Sequence, residues 1–169
     1  MTKYSWREFG ACIKLESRFL ARRRGRCEII NVMLLWNEKL ATGSPVIDEQ
    51  HRELIRHLNA FEGMLIKTNP TTQDIAIIIE FLDFLEKYVD AHFSYEEDCM
   101  ERYRCPVHQK NVHAHQQFRD LFQKFKLSAR KEGFRLPMLT ELNQVINVWI
   151  QEHILAVDTT LKPCLVAAA

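Results

Sequence analysis

The stretch IIEFLDFLEKYVDAHFSYEE, residues 78–97, decides how the chain is read. Its apolar residues recur every three or four positions, at Ile78, Leu82, Leu85 and Val89, and the same face continues through His92 and Glu96. At about 100° per residue these positions line one side of an α-helix, while Glu80, Asp83, Asp90 and Glu97 turn elsewhere. An imidazole and a carboxylate therefore occupy places where a core helix carries Leu or Ile. An unpaired buried carboxylate is costly, so Glu96 needs something positive close by.

Three further segments repeat the pattern. One aligns Ile47, His51, Leu54, Ile55, Leu58 and Leu65, another Asn111, His115, Phe118, Phe122 and Phe125, and the last Leu139, Leu142, Ile146, Trp149 and His153. Gly and Pro punctuate the chain before each of the four, in TGSP at 42–45, TNPTT at 68–72, RCP at 104–106 and KEGFRLP at 131–137. Strict alternation, the mark of a strand, is scarce. Four amphipathic helices with short connections predict an all-α fold, an antiparallel up-down-up-down four-helix bundle with a di-metal site in its core. The bundle is expected over residues 33–160, with 161–169 as a C-terminal tail.

Residues 1–32 fit this scheme poorly. They carry eight Lys and Arg against three Glu, net +5, and RRRGR is a charge cluster that cannot be buried. They read as a basic extension, partly disordered or a short helix, with Met33 as an alternative start of the folded body. The run is too short to assign a nucleic-acid or membrane-surface role, and the remainder, at net −4, is mildly acidic. With 47% apolar and 27% charged residues, the composition is that of an ordinary globular domain. Five scattered cysteines, an odd number without a CxxC pair, argue against a disulfide framework and for a reducing compartment. The most apolar run, IINVMLLW at 29–36, is far short of the roughly 20 residues that span a bilayer. The expectation is a soluble cytoplasmic protein with neither a membrane span nor a nucleic-acid partner.

Taken singly, a histidine on an apolar face is most often a hydrogen-bonded core residue. Five such residues, His51, His92, Glu96, His115 and His153, spread over four helices, share one economical explanation, a cation in the core. Imidazole with carboxylate suits iron, manganese or zinc, and the absence of cysteine from this set weakens the case for a thiolate zinc site. Cys99, Cys105 and His108 have a spacing that matches no usual structural zinc site. So many imidazoles exceed what one ion needs, which favours two metals.

The segments LLWNEKLATGSPVIDEQHRELIRHLN, HFSYEEDCM, PVHQKNVHAHQQF and WIQEHILAVD, in this order, closely resemble the bacteriohemerythrins, the oxygen-binding non-haem di-iron proteins of the hemerythrin family. The similarity runs from about Leu35 to Asp158. It implies that His51 and His92 bind one iron, that Glu96 bridges the pair, that His115 and His153 bind the other, and that Asp158 is a second bridge. Asp158 lies five residues beyond His153, about 140° off its face, so the helix should loosen there if Asp158 is to reach the metals. The resemblance also implies that Phe93, Phe118, Phe122 and Trp149, otherwise core packing, exclude water from the site.

One position departs from the family pattern, in which the third helix carries histidines five and nine residues after its proline. Counted from Pro106, the ninth is His115, but the fifth is Asn111. No other pair among His108, His113 and His115 is four apart; His108 reads as a neighbour behind the ligands and His113 as surface. An amide oxygen is a poorer iron donor than imidazole, so weaker metal retention or faster autoxidation is expected. The resemblance implies reversible dioxygen binding for carriage, storage or sensing, and a protein that is not an enzyme. The alternatives are a di-iron oxidase or peroxidase using the extra open position, and an oxygen, redox or iron sensor that acts through a separate protein partner.

Overall fold

The computed structural model describes residues 34–66 and 71–167; expectations for the N-terminal extension, Cys12 and Cys27 lie outside them. Four long helices dominate: α1 (Pro45–Leu65), α2 (Thr72–Arg102), α3 (His108–Glu132) and α4 (Leu136–Ala156). A short helix α5 (Leu161–Ala167) closes the described chain. No strand occurs among the described residues. α1 packs on both α2 and α4, and α2 packs on α3; α3 meets α4 through His115 against His153 and Phe118 against Trp149, which completes the bundle.

Each start has a local cause. Ser44 caps α1, its side chain accepting the Ile47 N–H, and Pro45 supplies a preset φ where no N–H is needed. The loop before it is tied down by buried Asp48, whose Oδ1 accepts from the Thr42 N–H at 2.7 Å and the Thr42 hydroxyl at 2.8 Å. Thr71 and Asp74 form a reciprocal capping box at the start of α2. α3 ends at Gly133, whose φ of +80° is a conformation that L side chains rarely adopt.

Every residue on the four apolar stripes of the sequence is buried, His51, His92, Glu96, Asn111, His115 and His153 included. Apolar and polar members of each stripe therefore face the same interior.

Two expectations need correction. The tail expected from residue 161 is helical to Ala167, and Leu161 is fully buried against Ile47, Met100 and Cys105. In place of unpaired thiols, Cys105 and Cys164 form a disulfide, 59 residues apart in sequence, while Cys99 is free. The bond ties the α2–α3 turn to α5. The fold brings the two sulfurs to one end of the bundle, which no local spacing announces. It also removes Cys105 from any zinc cluster with Cys99 and His108.

Candidate metal centre

Each long helix contributes to one buried cluster. α1 brings His51, α2 brings His92 and, one turn on, Glu96, α3 brings His115, and α4 brings His153. The helix then stops at Ala156, Val157 leaves helical geometry at φ −123° and ψ −61°, and a 3-10 turn, Asp158–Thr160, follows. This local loosening turns Asp158 inward, beside residues of all four long helices. None of the six is more than 7% exposed.

Ligand-type atoms of Glu96, His115, His153 and Asp158 all lie within 4.8 Å of one another, as do those of His51, His92 and Glu96. Glu96 belongs to both groups. Asp158 also spans the cluster: its Oδ1 is 3.1 Å from His153 Nε2 and its Oδ2 is 3.4 Å from His51 Nε2. His115 Nε2 lies 2.9 Å from His153 Nε2 and 3.6 Å from Glu96 Oε2.

Residues behind the cluster fix which nitrogen faces inward. Glu97 Oε1 accepts from His115 Nδ1 at 2.8 Å, and Gln50 Oε1 accepts from His92 Nδ1 at 3.0 Å. A carboxylate or amide oxygen can only accept, so both Nδ1 atoms carry the proton in the neutral rings. Both Nε2 atoms are then bare lone pairs. Glu97 is itself held by Arg119, whose guanidinium donates to it at 3.2 Å and to Asp90 at 2.7 Å. Glu97→Ala is expected to weaken metal binding by about 10–100-fold while leaving the direct donors in place, as read by competition with a chelator. Unchanged competition would show that the Glu97 contact does not prepare His115.

The electrostatics are those of a site with too many charges of one kind. Burial, and then the neighbouring His51, hold His92 down to about 3, and burial with His153 holds His115 down to about 2, so both are neutral. Burial, reinforced by the charge of Asp158, pushes Glu96 well above the carboxylate range. Burial works the same way on Asp158, but His153 and His51 outweigh it and hold that carboxyl well below its ordinary value.

The donors fit a metal pair. His51 Nδ1, Glu96 Oε1 and Asn111 Oδ1 are buried without a hydrogen-bond partner, and His51 Nε2 has only the Asp158 carboxylate near it, at 3.4 Å. Buried polar atoms are rarely left unsatisfied, and these belong to one cluster of residues that also offers two bare imidazole lone pairs. A cation satisfies imidazole lone pairs and carboxylate oxygens at once. Four imidazoles and two carboxylates, divided into two groups that share Glu96, suit two ions.

Aromatic rings shield the cluster. Phe93 stacks on His115 with centroids 3.7 Å apart, and Trp149 stacks on His153 at 4.4 Å. Phe118 packs on Trp149 at 4.6 Å.

Asn111 is fully buried on α3, one turn before His115. Its Nδ2 donates to Glu96 Oε2 at 3.4 Å and to Met100 Sδ at 3.3 Å. His108, in the first turn of α3, is half-buried, and His113 is exposed beside Gln117. Glu97, Gln50, Arg119 and Met100 escaped the reading of the sequence as parts of this site. Glu97 was placed off the core face, which holds for its own helix, but α3 covers that side. A signal existed, since a ligating histidine requires an acceptor for its second nitrogen.

Comparison with known proteins agrees with this architecture. Residues 42–165 match the model of the family described as the Hemerythrin HHE cation binding domain. The chain is 27% identical over 122 residues to a bacteriohemerythrin of Stenotrophomonas maltophilia, covering 72% of this chain and 74% of that protein. It is 30% identical over 127 residues to one of Pseudomonas aeruginosa, with 72% and 74% covered. A bacteriohemerythrin of Clostridium acetobutylicum is 27% identical over 135 residues, 75% of this chain and 96% of its own length.

Proposed function

The chain belongs to the hemerythrin family of HHE cation-binding domains, and from that premise we propose that it holds two non-haem iron ions and binds dioxygen reversibly. His51 and His92 would hold one iron, His115 and His153 the other, with Glu96 and Asp158 shared between them. The observation that carries this reading is the buried, two-part donor cluster in which Glu96 belongs to both groups. Bound there, an iron pair would supply the redox chemistry, electrons lent to dioxygen and recovered on its release.

The remaining work falls to the chain. Gln50 and Glu97 hold the His92 and His115 rings with Nε2 inward, so the donor set is formed before any cation arrives. Phe93 and Trp149, stacked on His115 and His153, keep bulk water and its protons away from the centre. Asp158 is delivered by the turn at Val157, which Leu161 anchors in the core. In this reading the chain is an oxygen-carrying, storing or sensing protein rather than an enzyme, and no helix among the described residues is long and apolar enough to cross a membrane.

Asn111 favours a second reading. Its amide is shorter than an imidazole and its Oδ1 has no partner, so the iron beside His115 and His153 would have room for a further ligand. An open position next to each histidine pair is what a di-iron oxidase or peroxidase uses.

One experiment separates the two. The protein is loaded with iron without oxygen, its irons are counted, and its absorption is followed as air is admitted and removed, beside Asn111→His. Two irons per chain and a colour that comes with oxygen and leaves with it support reversible binding. Consumption of oxygen over many turnovers without a lasting coloured form supports the enzyme. Fewer than one iron per chain, with no oxygen-dependent absorption, would sink both.

A further inference from the structure

We infer that the buried thioether of Met100 is an oxygen-atom acceptor for this centre, so that hydrogen peroxide reaching the iron pair converts Met100 to its sulfoxide. The inference rests on the iron reading above. Met100 lies one turn beyond Glu96 on α2 and is fully buried. Most of its surroundings are apolar, among them Ile47, Cys105 and Leu161. Its sulfur nevertheless sits 3.3 Å from Asn111 Nδ2, and that same nitrogen is 3.4 Å from Glu96 Oε2. A single amide therefore separates a soft, oxidisable sulfur from the carboxylate common to both donor groups.

Asn111 makes this contact matter. Its side-chain oxygen is buried without a hydrogen-bond partner, so it can accept from a peroxide that enters the donor cluster. Peroxide bound at the Asn111 amide lies beside the sulfur and away from solvent. The thioether lone pair attacks one peroxide oxygen, and the S–O bond forms as the O–O bond breaks. The sulfur gives up two electrons, and the second oxygen leaves as water with both peroxide hydrogens. No other oxidant or reductant is consumed. The sulfoxide oxygen accepts hydrogen bonds far better than a thioether does, so it draws the Asn111 N–H away from Glu96. One oxidative event at the centre would thus leave a lasting mark on the residue that touches its shared carboxylate.

Two other methionines serve as internal standards. Met64, on α1, is half-buried and 13 residues beyond His51, about 20 Å along the helix. Met138, near the start of α4, is 15 residues before His153, about 22 Å away. Bulk peroxide oxidises methionines in order of exposure, so Met64 should lead and Met100 should lag. Delivery at the centre reverses that order.

The full chain is loaded with iron without oxygen, its iron is counted, and it is treated with a small excess of hydrogen peroxide that is then removed with catalase. Metal-free protein is treated alike. Peptides spanning Met64, Met100 and Met138 are weighed for the gain of one oxygen atom. In the iron-loaded chain Met100 is expected to gain oxygen at least about tenfold ahead of Met64, and in the metal-free chain Met64 is expected to lead. Met64 leading in both overturns the inference and leaves the iron reading intact. A chain that takes up no iron overturns the iron reading itself.

Discussion

Metal-free Glu96→Gln protein is expected to be more stable than its metal-free parent at about pH 8, by about 1–3 kcal/mol, and yet to bind iron at least about 100-fold more weakly. Glu96 is fully buried, its Oε1 has no partner, and burial with the charge of Asp158 pushes its carboxyl well above the ordinary 4.5. The folded chain thus binds this proton more tightly than the unfolded chain. The stability that the proton contributes is fully present below about pH 4.5 and is lost as pH rises through the folded value. Glutamine suffers no such loss, so the gap between the two proteins should open with rising pH. For iron the balance reverses, because a carboxylate neutralises the cation and can serve both donor groups, whereas an amide oxygen is neutral and a weak donor. Urea denaturation of chelator-treated proteins from about pH 5 to 9, beside iron competition against a chelator, measures both effects. Identical stability throughout that range, or undiminished iron affinity in the variant, would show that Glu96 is not the shared donor.

How much of this could be read beforehand depends on how local each feature is. The stripes through His51, His92, Asn111, His115 and His153 were legible because helical periodicity is a property of single segments, and every one of these residues is buried. Asp158 was a harder case. Its spacing from His153 places it on the wrong face, and only the resemblance to hemerythrins pointed to it; the break at Val157 that turns it inward is a backbone event with no residue-type signature. Glu97 was read as facing away from the core, correctly for α2 alone, but α3 lies against that side and meets it with His115 and Arg119. The disulfide was hidden for the same reason, since Cys105 and Cys164 are neighbours only after five helices have folded. Features that depend on one helix were visible, and those that depend on which helices meet were not.

Asn111 sits between these cases. Its position was plain from the count after Pro106, but its contacts were not. The structure shows its amide donating to Glu96 and Met100, so it does more than leave a gap. The hydrogen bond to Glu96 favours the ionised carboxylate and partly opposes the burial that raises its pKa. Replacing imidazole by amide therefore removes a donor while easing ionisation of the carboxylate that both groups share.

Acidifying the metal-free protein from pH 6.5 to about 4.5 is expected to remove roughly 5 kcal/mol of the folding stability contributed by His92 and His115. Burial and the neighbouring imidazoles hold these rings down to about 3 and about 2, against 6.5 for an unfolded chain. A depressed histidine contributes stability that is fully present above 6.5 and is lost as pH falls toward the folded value, because below 6.5 the unfolded chain takes up a proton that the folded chain refuses. Each unit of pH costs about 1.4 kcal/mol per ring. Asp158 adds nothing in this window, since its contribution is lost only below its ordinary 3.8. Glu96 works in the opposite sense and regains stability as pH falls, offsetting up to about half of the loss. The parent should therefore lose less on acidification than Glu96→Gln, which lacks the offset. Small domains have about 5–15 kcal/mol in total, so the advantage the variant holds at high pH should shrink across this window until the two metal-free proteins unfold at nearly the same acid pH. Iron-loaded parent should hold out to lower pH, because protons must then compete with the cation for the same lone pairs. Far-ultraviolet circular dichroism of the three samples along a pH series measures this. A metal-free parent whose stability does not change until below pH 3.8 would contradict the neutral, proton-refusing imidazoles on which the metal centre is built.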